Sequence, residues 1–371
     1  MIEADELLSA NFTYFWKGRV ALYALLKSVG VSEGSEVVVP GFTCVVVPNA
    51  VLYTGATPVY ADIDASTYNV SLETIRAVVT DRTKAIVVQS TFGLSPDLDG
   101  ILQFAKDLNI PVIDDCTHGL GGSYKSIPNG FVTDAAFFST QWSKPLSTGL
   151  GGFVTIKNEE LKAKLNAEIE AYEPAGAIAD NILALQRLVR PLADIRQLHY
   201  PLIKTYRWLT QKVGLSVGSS SGDEISGITM PDNYCRLAGK RQKRAIIRKF
   251  GTLDSVLAKR QRSAQFYDQY FGTFKNIVVP VRPSYALHGM LRYTVQVEDS
   301  KAVFEKAVQN NIALGDWFDS PIYPVYKDLS KWKYFEGSCP VAERVSRKIV
   351  NLSTDNVLDR KQLDLLFGAY S

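Results

Sequence analysis

The first half of this chain alternates short Val/Ile-rich runs with segments of helical period, and that alternation restricts the fold more than any other feature of the sequence. Strands are expected at Glu36–Val39, Pro58–Asp62, Lys84–Gln89, Pro111–Asp114, Ala135–Ser139 and Gly152–Ile156. Several of these runs are apolar throughout, as suits strands covered on both faces. Helices are expected between them at Val20–Val29, Leu72–Val79 and Leu98–Leu108. Strands joined through helices at this spacing pair in parallel by right-handed crossovers, which gives an α/β class with a mostly parallel sheet.

After Ile156 the pattern changes. Residues from about 157 to 215 read as almost wholly helical, and the polar stretch Ser216–Gly227 reads as a loop. A long helical pattern runs from Arg236 to Tyr270, followed by a strand at Tyr293–Val297, a helix at Lys301–Asn310 and a helix at Cys339–Val350. This divides the chain into a large α/β domain over residues 1–230, with a helical insertion at about 157–215, and a small C-terminal α+β domain over residues 231–371. No internal repeat is present.

Composition excludes several classes of function. A net charge of +3 on 371 residues leaves no nucleic-acid footprint. The four cysteines, Cys44, Cys116, Cys235 and Cys339, form no CxxC pair, so no metal site is expected. No secretory signal is read at the N-terminus, and no apolar run reaches the ~18 residues that span a bilayer. The expectation is a reduced, cytoplasmic protein without a membrane span.

Three places carry chemistry. Lys144 follows a strand end by five residues and precedes the glycine-rich Gly149–Gly152. A lysine at the mouth of a sheet is partly desolvated, which frees its neutral amine for a Schiff base; the alternative is a solvated surface lysine. Next, the strand through Ile113 ends in Asp114 and Asp115. An acid at the carboxyl end of a parallel strand points into the ligand crevice. Facing a pyridine nitrogen, it holds that nitrogen protonated so that the ring draws electrons. Asp115 is assigned this part, with Asp114 capping or facing the sheet; the other reading makes both of them N-caps. His118 can bond a phenolic oxygen of the same ring or serve structurally. Third, Gly18, Arg19 and Val20 open an apolar helix whose free amides suit a phosphate, and the Ser139 hydroxyl can reach the same group.

In their order and spacing these segments resemble the DegT/DnrJ/StrS-type sugar aminotransferases, a branch of the fold type I pyridoxal-phosphate enzymes. The resemblance runs through Gly18–Leu22, Glu36–Pro40, Gly55–Asp64, Thr83–Ile86, Phe92-Gly93 with Asp97–Asp99, Asp114–Cys116, the Lys144 segment, Gly149–Gly152, Cys339–Glu343 and Val350–Leu352. It implies a fold type I architecture: a large domain with a mostly parallel seven-stranded sheet and a small C-terminal α+β domain. It implies pyridoxal 5′-phosphate bound covalently at Lys144, which also moves the substrate proton. Asp115 would partner the pyridine nitrogen and His118 the phenolic oxygen. Ser139, Gly18, Arg19 and Val20 would hold the phosphate.

Three departures stand out. Cys44 occupies the position where the family places an aromatic side chain on the cofactor ring, and Phe42 or Phe92 is left to compensate. Ser139-Thr-Gln-Trp142 replaces the common Ser-Phe-His. Asn233-Tyr-Cys-Arg236 resembles a segment that reaches the neighbouring subunit's phosphate, but its spacing to Leu253-Asp254 does not match and no role is given to it. Arg187, Arg190, Arg196, Lys204 and Arg207 in the insertion form either a solvated basic face or a site for a diphosphate or carboxylated sugar. The resemblance implies a homodimer that aminates a nucleotide-linked keto sugar, with glutamate as donor, in surface glycan or lipopolysaccharide synthesis. The alternatives are a deoxysugar dehydratase on the same cofactor, whose known members replace the lysine, and a cofactor-binding regulator without turnover.

Overall fold

A computed structural model of the protein describes residues 12–193 and 222–370. Its centre is a nine-stranded sheet. In chain order the strands are β1 (Thr13–Phe15), β2 (Glu36–Pro40), β3 (Thr57–Ala61), β4 (Thr83–Gln89), β5 (Val112–Asp115), β6 (Ala135–Ser139), β7 (Gly152–Ile156), β8 (Glu173–Pro174) and β9 (Arg236–Leu237). Across the sheet they lie in the order β8, β9, β1, β7, β6, β5, β4, β2, β3. The run from β6 to β3 is parallel throughout. β7 lies antiparallel between β6 and β1. The sheet exceeds the expected seven strands by β8 and β9, two residues each at one end of the sheet and too short to leave an apolar pattern.

The apolar strands are buried as their composition requires. Val37, Val38 and Val39 of β2 and Ile86 and Val88 of β4 are fully enclosed, because helices cover both faces of the sheet. Helix α1 (Gly18–Ser28) buries Val20, Leu22, Leu25 and Leu26 against one face. It stops at Gly30, whose φ of 83° only glycine adopts at little cost, and there Val31 N–H returns to Leu26 O at 3.0 Å.

The C-terminal part forms its own hydrophobic cluster. An antiparallel pair, β10 (Arg292–Gln296) and β11 (Ile349–Ser353), packs Tyr293, Val295, Val350 and Leu352 against Tyr267, Phe271, Leu363 and Phe367 of flanking helices. Two expected helices change here. The pattern from Arg236 to Tyr270 divides into β9 and helices Lys240–Phe250 and Leu253–Phe271, broken at Gly251-Thr252. Cys339–Val350 is a helix only over Pro340–Ser346, because Ile349 begins to pair with Gln296.

In the expected insertion, helices Glu159–Glu168 and Ala177–Ala193 are separated by β8. The rest of the 157–215 reading, with Arg196, Lys204 and Arg207, lies outside the described residues. Within the stretch read as a loop, Gly222–Ser226 is a single helical turn.

Candidate active site

The topology brings the sequence-singled residues to one edge of the sheet. In a parallel sheet all carboxyl ends lie together, so Gln89 of β4 and Asp115 of β5 are register partners there. Asp115 in turn aligns with Phe137 of β6, two residues before Ser139. Ser139 pairs with Gly152, and Gly152 with Phe15. The chain then turns through Trp16-Lys17 into Gly18, the first residue of α1. Ligand crevices in open α/β sheets lie outside such carboxyl edges.

Lys144 sits in the connection from β6 to β7. That loop is pinned at its base: Thr140 N–H donates to Gly151 O at 2.9 Å, and the Thr148 hydroxyl donates to Thr140 Oγ1 at 2.8 Å. Lys144 N–H closes a turn on Gln141 O at 3.1 Å. The amine is pulled down to about 8, first by burial, with Arg292 and Arg19 adding to the effect and Cys44 and Asp115 opposing it. Its Nζ lies 4.7 Å from the centre of the Trp317 ring. An amine in this range is roughly one-tenth neutral at pH 7, a far larger share than an ordinary lysine keeps, and the neutral form is the one a nucleophile requires.

The two acids separate by environment. Asp114 is 1% exposed and accepts from Cys116 Sγ at 3.0 Å and from the Ser90 hydroxyl at 3.3 Å; burial pushes it up to about 7. Asp115, also buried, accepts Thr117 N–H at 2.9 Å, and it is the acid that Lys144 acts on. Burial raises its carboxyl as well. No helix follows either residue, so neither is an N-cap. A buried carboxylate whose charge is short of compensation suits a ligand that brings a cation, such as a protonated pyridine nitrogen.

His118 is 3% exposed, and its pKa lies well below the ordinary value through burial and the nearby Lys144 and Arg292 cations. Its Nδ1 accepts Phe92 N–H at 3.4 Å, so the neutral ring carries its proton on Nε2, free to donate. The ring stacks on Trp317 at 4.8 Å and 8°, and on Phe318 and Phe92 at 5.7 and 5.8 Å.

A phosphate would fit at the start of α1. The Gly18 and Arg19 amides precede any intrahelical acceptor, and Lys17 provides no side-chain cap. The helix start also touches the sheet: a Cβ on Gly18 would lie 2.9 Å from Phe138 O and 3.0 Å from Ser139 Cβ. A Cβ on Gly152 would lie 2.5 Å from Gly18 Cα. These two glycines bring the amides beside the Ser139 hydroxyl, whose oxygen accepts Gln141 N–H at 3.3 Å and whose proton is free. Val20, the third residue of α1, is fully buried beneath. Around pyridoxal phosphate, these residues would hold the phosphate, Asp115 the ring nitrogen, His118 the phenolic oxygen and Lys144 the aldehyde carbon.

Other expected residues lie differently. The Arg19 guanidinium is engaged by Glu224, with Nη1 to Oε1 at 2.6 Å. Cys44 lies beside Lys144, and its thiol is pushed up by burial. Neither Phe42 nor Phe92 is open to a ligand, since both are at most 1% exposed within the core. Tyr234, in the segment left without a role, donates to Arg19 O at 3.0 Å and so braces the start of α1. Arg187 donates to Thr148 O at 3.4 Å and packs beneath the lysine loop. Among the described residues no helix is long and apolar enough to cross a membrane.

Glu224, Arg292 and Trp317 went unnoticed in the sequence. Glu224 lies in a polar stretch, and the other two are more than a hundred residues from Lys144 in the chain. Only the folded arrangement joins them to it.

The aminotransferase TlmJ from Streptoalloteichus hindustanus superimposes with a TM-score of 0.71 at 20% identity, over 96% of this chain and 84% of its own, which fixes the fold as that of the fold type I aminotransferases. The chain belongs to the DegT/DnrJ/EryC1/StrS aminotransferase family, matched over residues 15–171 and 244–369, whose cofactor is pyridoxal 5′-phosphate. GDP-perosamine synthase of Caulobacter vibrioides is 38% identical over 148 residues, 40% of each chain. The spore coat polysaccharide biosynthesis protein SpsC of Bacillus subtilis is 40% identical over 145 residues, 39% of this chain and 37% of its own. The chain spans about 40% of the length of these curated relatives.

Proposed function

We propose that this protein is a pyridoxal-phosphate-dependent aminotransferase that converts a nucleotide-linked keto sugar to an amino sugar, with glutamate as donor. The observation that carries the reading is the meeting of Lys144, with an amine near 8, and buried Asp115 at the sheet edge beside the open start of α1. Pyridoxal phosphate supplies an aldehyde that condenses with amines and a ring that draws electrons from the adjoining C–H bond. With the cofactor bound, Lys144 would take the proton from the substrate carbon as base and return it as acid. Asp115 keeps the ring nitrogen protonated. The His118 Nε2–H donates to the phenolic oxygen. The α1 amides and Ser139 anchor the phosphate, so the reacting atoms stay aligned through both half-reactions.

The names of the relatives support a carbohydrate acceptor, since one makes a GDP-linked product and another serves a spore coat polysaccharide. The fuller proposal is a cytoplasmic homodimer acting in surface glycan or lipopolysaccharide synthesis. The presence of Lys144 weighs against the dehydratase alternative. The test is spectroscopic. Protein loaded with cofactor should absorb near ~420 nm, and glutamate should move the band to shorter wavelength. Members of a panel of keto-sugar nucleotides should restore it. A Lys144→Arg variant should show neither change. A band that no amino donor moves would leave only a cofactor-binding regulator.

A further inference from the structure

The helix Lys240–Phe250 carries Lys240, Arg241, Lys243, Arg244, Arg248 and Lys249 and no acid, although the whole chain nets only +3. Its inner side buries Gln242, Ile246 and Phe250. All six cations are exposed. Lys240, Arg241, Arg244 and Arg248 fall within a sector of about 100° on the outer side, at 3.6 residues per turn. None of the six forms an ion pair among the described residues, and Lys243 lies instead over the Tyr14 ring at 5.1 Å. This sequence works against its own helix. Lys240 and Arg241 sit at the N-terminal end, where the dipole favours anions, and Lys240, Arg244 and Arg248 repel one another at i,i+4 spacing. The fold answers only at the backbone: Asp180 of the neighbouring helix accepts Arg241 N–H at 2.8 Å and Gln242 N–H at 2.9 Å.

That neighbour, Ala177–Ala193, supplies an independent observation. It buries Asp180 and Leu183, while Ile178, Leu185 and Leu188 stand 69%, 60% and 76% exposed. At i, i+7 and i+10 they form an apolar stripe on its outer side. Both helices rest on the same strip of chain. Gln242 Nε2 donates to Trp16 O at 3.0 Å and to Leu150 O at 2.9 Å, and Leu183 clusters with Trp16 and Leu150. Their outer faces therefore lie side by side. Uncompensated cations beside exposed aliphatic side chains match an anionic lipid surface, whose headgroups take the cations while the aliphatic groups enter the boundary below them. Nucleic acid would use the cations but not the leucines, and neither stripe offers an aromatic ring for a base to stack on. We propose that this face, the basic helix together with the stripe of Ile178, Leu185 and Leu188, binds the surface of a membrane that contains anionic lipids. Arg187 of the same apolar helix donates to Thr148 O, so the helix that meets the membrane also supports the lysine loop.

The experiment sediments the full-length protein with vesicles of phosphatidylcholine alone, or of phosphatidylcholine and phosphatidylserine in equal parts. Only the mixed vesicles should carry protein down, and high salt should weaken the binding. Arg244→Gln combined with Arg248→Gln should lower the partition about 10–50-fold, about fivefold for each cation. Leu185→Asn combined with Leu188→Asn should lower it about tenfold or more. All four side chains are exposed, so both variants keep the fold. Without vesicles, the arginine variant should unfold at the native denaturant concentration or above it, because like charges no longer repel along the helix. Equal binding to neutral vesicles, or binding to neither kind, overturns the proposal. So does vesicle binding that ignores either pair of substitutions. Binding of a short DNA duplex that the arginine pair abolishes and the leucine pair leaves intact would assign the face to nucleic acid instead.

Discussion

Arg19, the second residue of α1, and Glu224, 205 residues later, form an ion pair of 2.6 Å, and neither is more than 6% exposed. Lys17 lies 3.8 Å from the same carboxylate. One buried acid therefore balances two cations at the place where the cofactor phosphate is proposed to sit.

Removing that acid strands the cations. Glu224→Gln should destabilise the cofactor-free protein by about 3 kcal/mol, the scale for breaking one side of a buried pair. Pyridoxal phosphate brings anionic charge to the same spot. The stabilisation it confers should therefore be larger in the variant than in the native protein. Denaturant unfolding with and without the cofactor measures both quantities. A variant equally destabilised in both states would show that the phosphate lies elsewhere.

Gly18→Ala tests the close approach of α1 to β6. The added Cβ would meet Phe138 O at 2.9 Å, so the helix start must retreat from Ser139. Cofactor affinity should fall about tenfold or more, as expected when one charge-assisted phosphate contact is lost. Gly176→Ala is the control, since its Cβ would have nothing within 4 Å. Spectral titration of both variants with pyridoxal phosphate decides the matter. Equal affinities would remove α1 from the phosphate site.

How much of this was legible in the sequence depended on whether its cause was local. Val37–Val39 and Ala85–Val88 read as buried strands because unbroken apolar runs rich in Val and Ile suit little else at this length. Lys144 and Asp115 could be singled out because parallel strands gather their carboxyl ends. The break at Gly251-Thr252 was hidden, since apolar residues recur at helical spacing on both sides: Ile246 and Phe250 before it, Leu253 and Leu257 after. The change from helix to strand after Ser346 was hidden too, because its cause is the partner strand β10. Glu224 read as loop because the stretch around it, Ser216–Gly227, is mostly small and polar; it is buried in its pair with Arg19. Trp317 enters the site through the pairing of Ile322-Tyr323 with Thr43-Cys44, a contact that no local pattern encodes.

The lowered Lys144 amine sets a pH dependence. Below about 8 the amine is mostly protonated and unable to attack an aldehyde, and above it the neutral form dominates. The rate at which cofactor-free protein captures pyridoxal should rise about tenfold per pH unit up to that point and then level. An ordinary lysine would keep rising toward 10.5. Pyridoxal without its phosphate is the right probe, because Lys17, also lowered to about 8, would alter phosphate binding over the same range. A capture rate still climbing steeply above pH 9 would show that the amine is not desolvated.

Asp115→Asn should move the stability of the free and loaded protein in opposite directions. Burial raises the Asp115 carboxyl above its unfolded value, so the fold favours its protonated form. That contribution is present at low pH and is lost as pH rises through the folded value, which leaves a buried charge as a cost at neutral pH. Asparagine removes the charge, and its side-chain oxygen still accepts Thr117 N–H, so the fold is kept. The cofactor-free variant should melt at the native temperature or above it. The loaded variant should gain less from cofactor, having lost the counter-charge for the ring nitrogen. It should still bind pyridoxal phosphate through Lys144 and show a visible band, while kcat falls about 10²–10³-fold, the usual effect of removing one preorganised electrostatic partner. Melting curves in both states, set beside single-turnover rates, separate a charge that serves the cofactor from one that serves the fold. If the free protein is destabilised and the loaded rate is unchanged, the acid is structural and the ring nitrogen has a different partner.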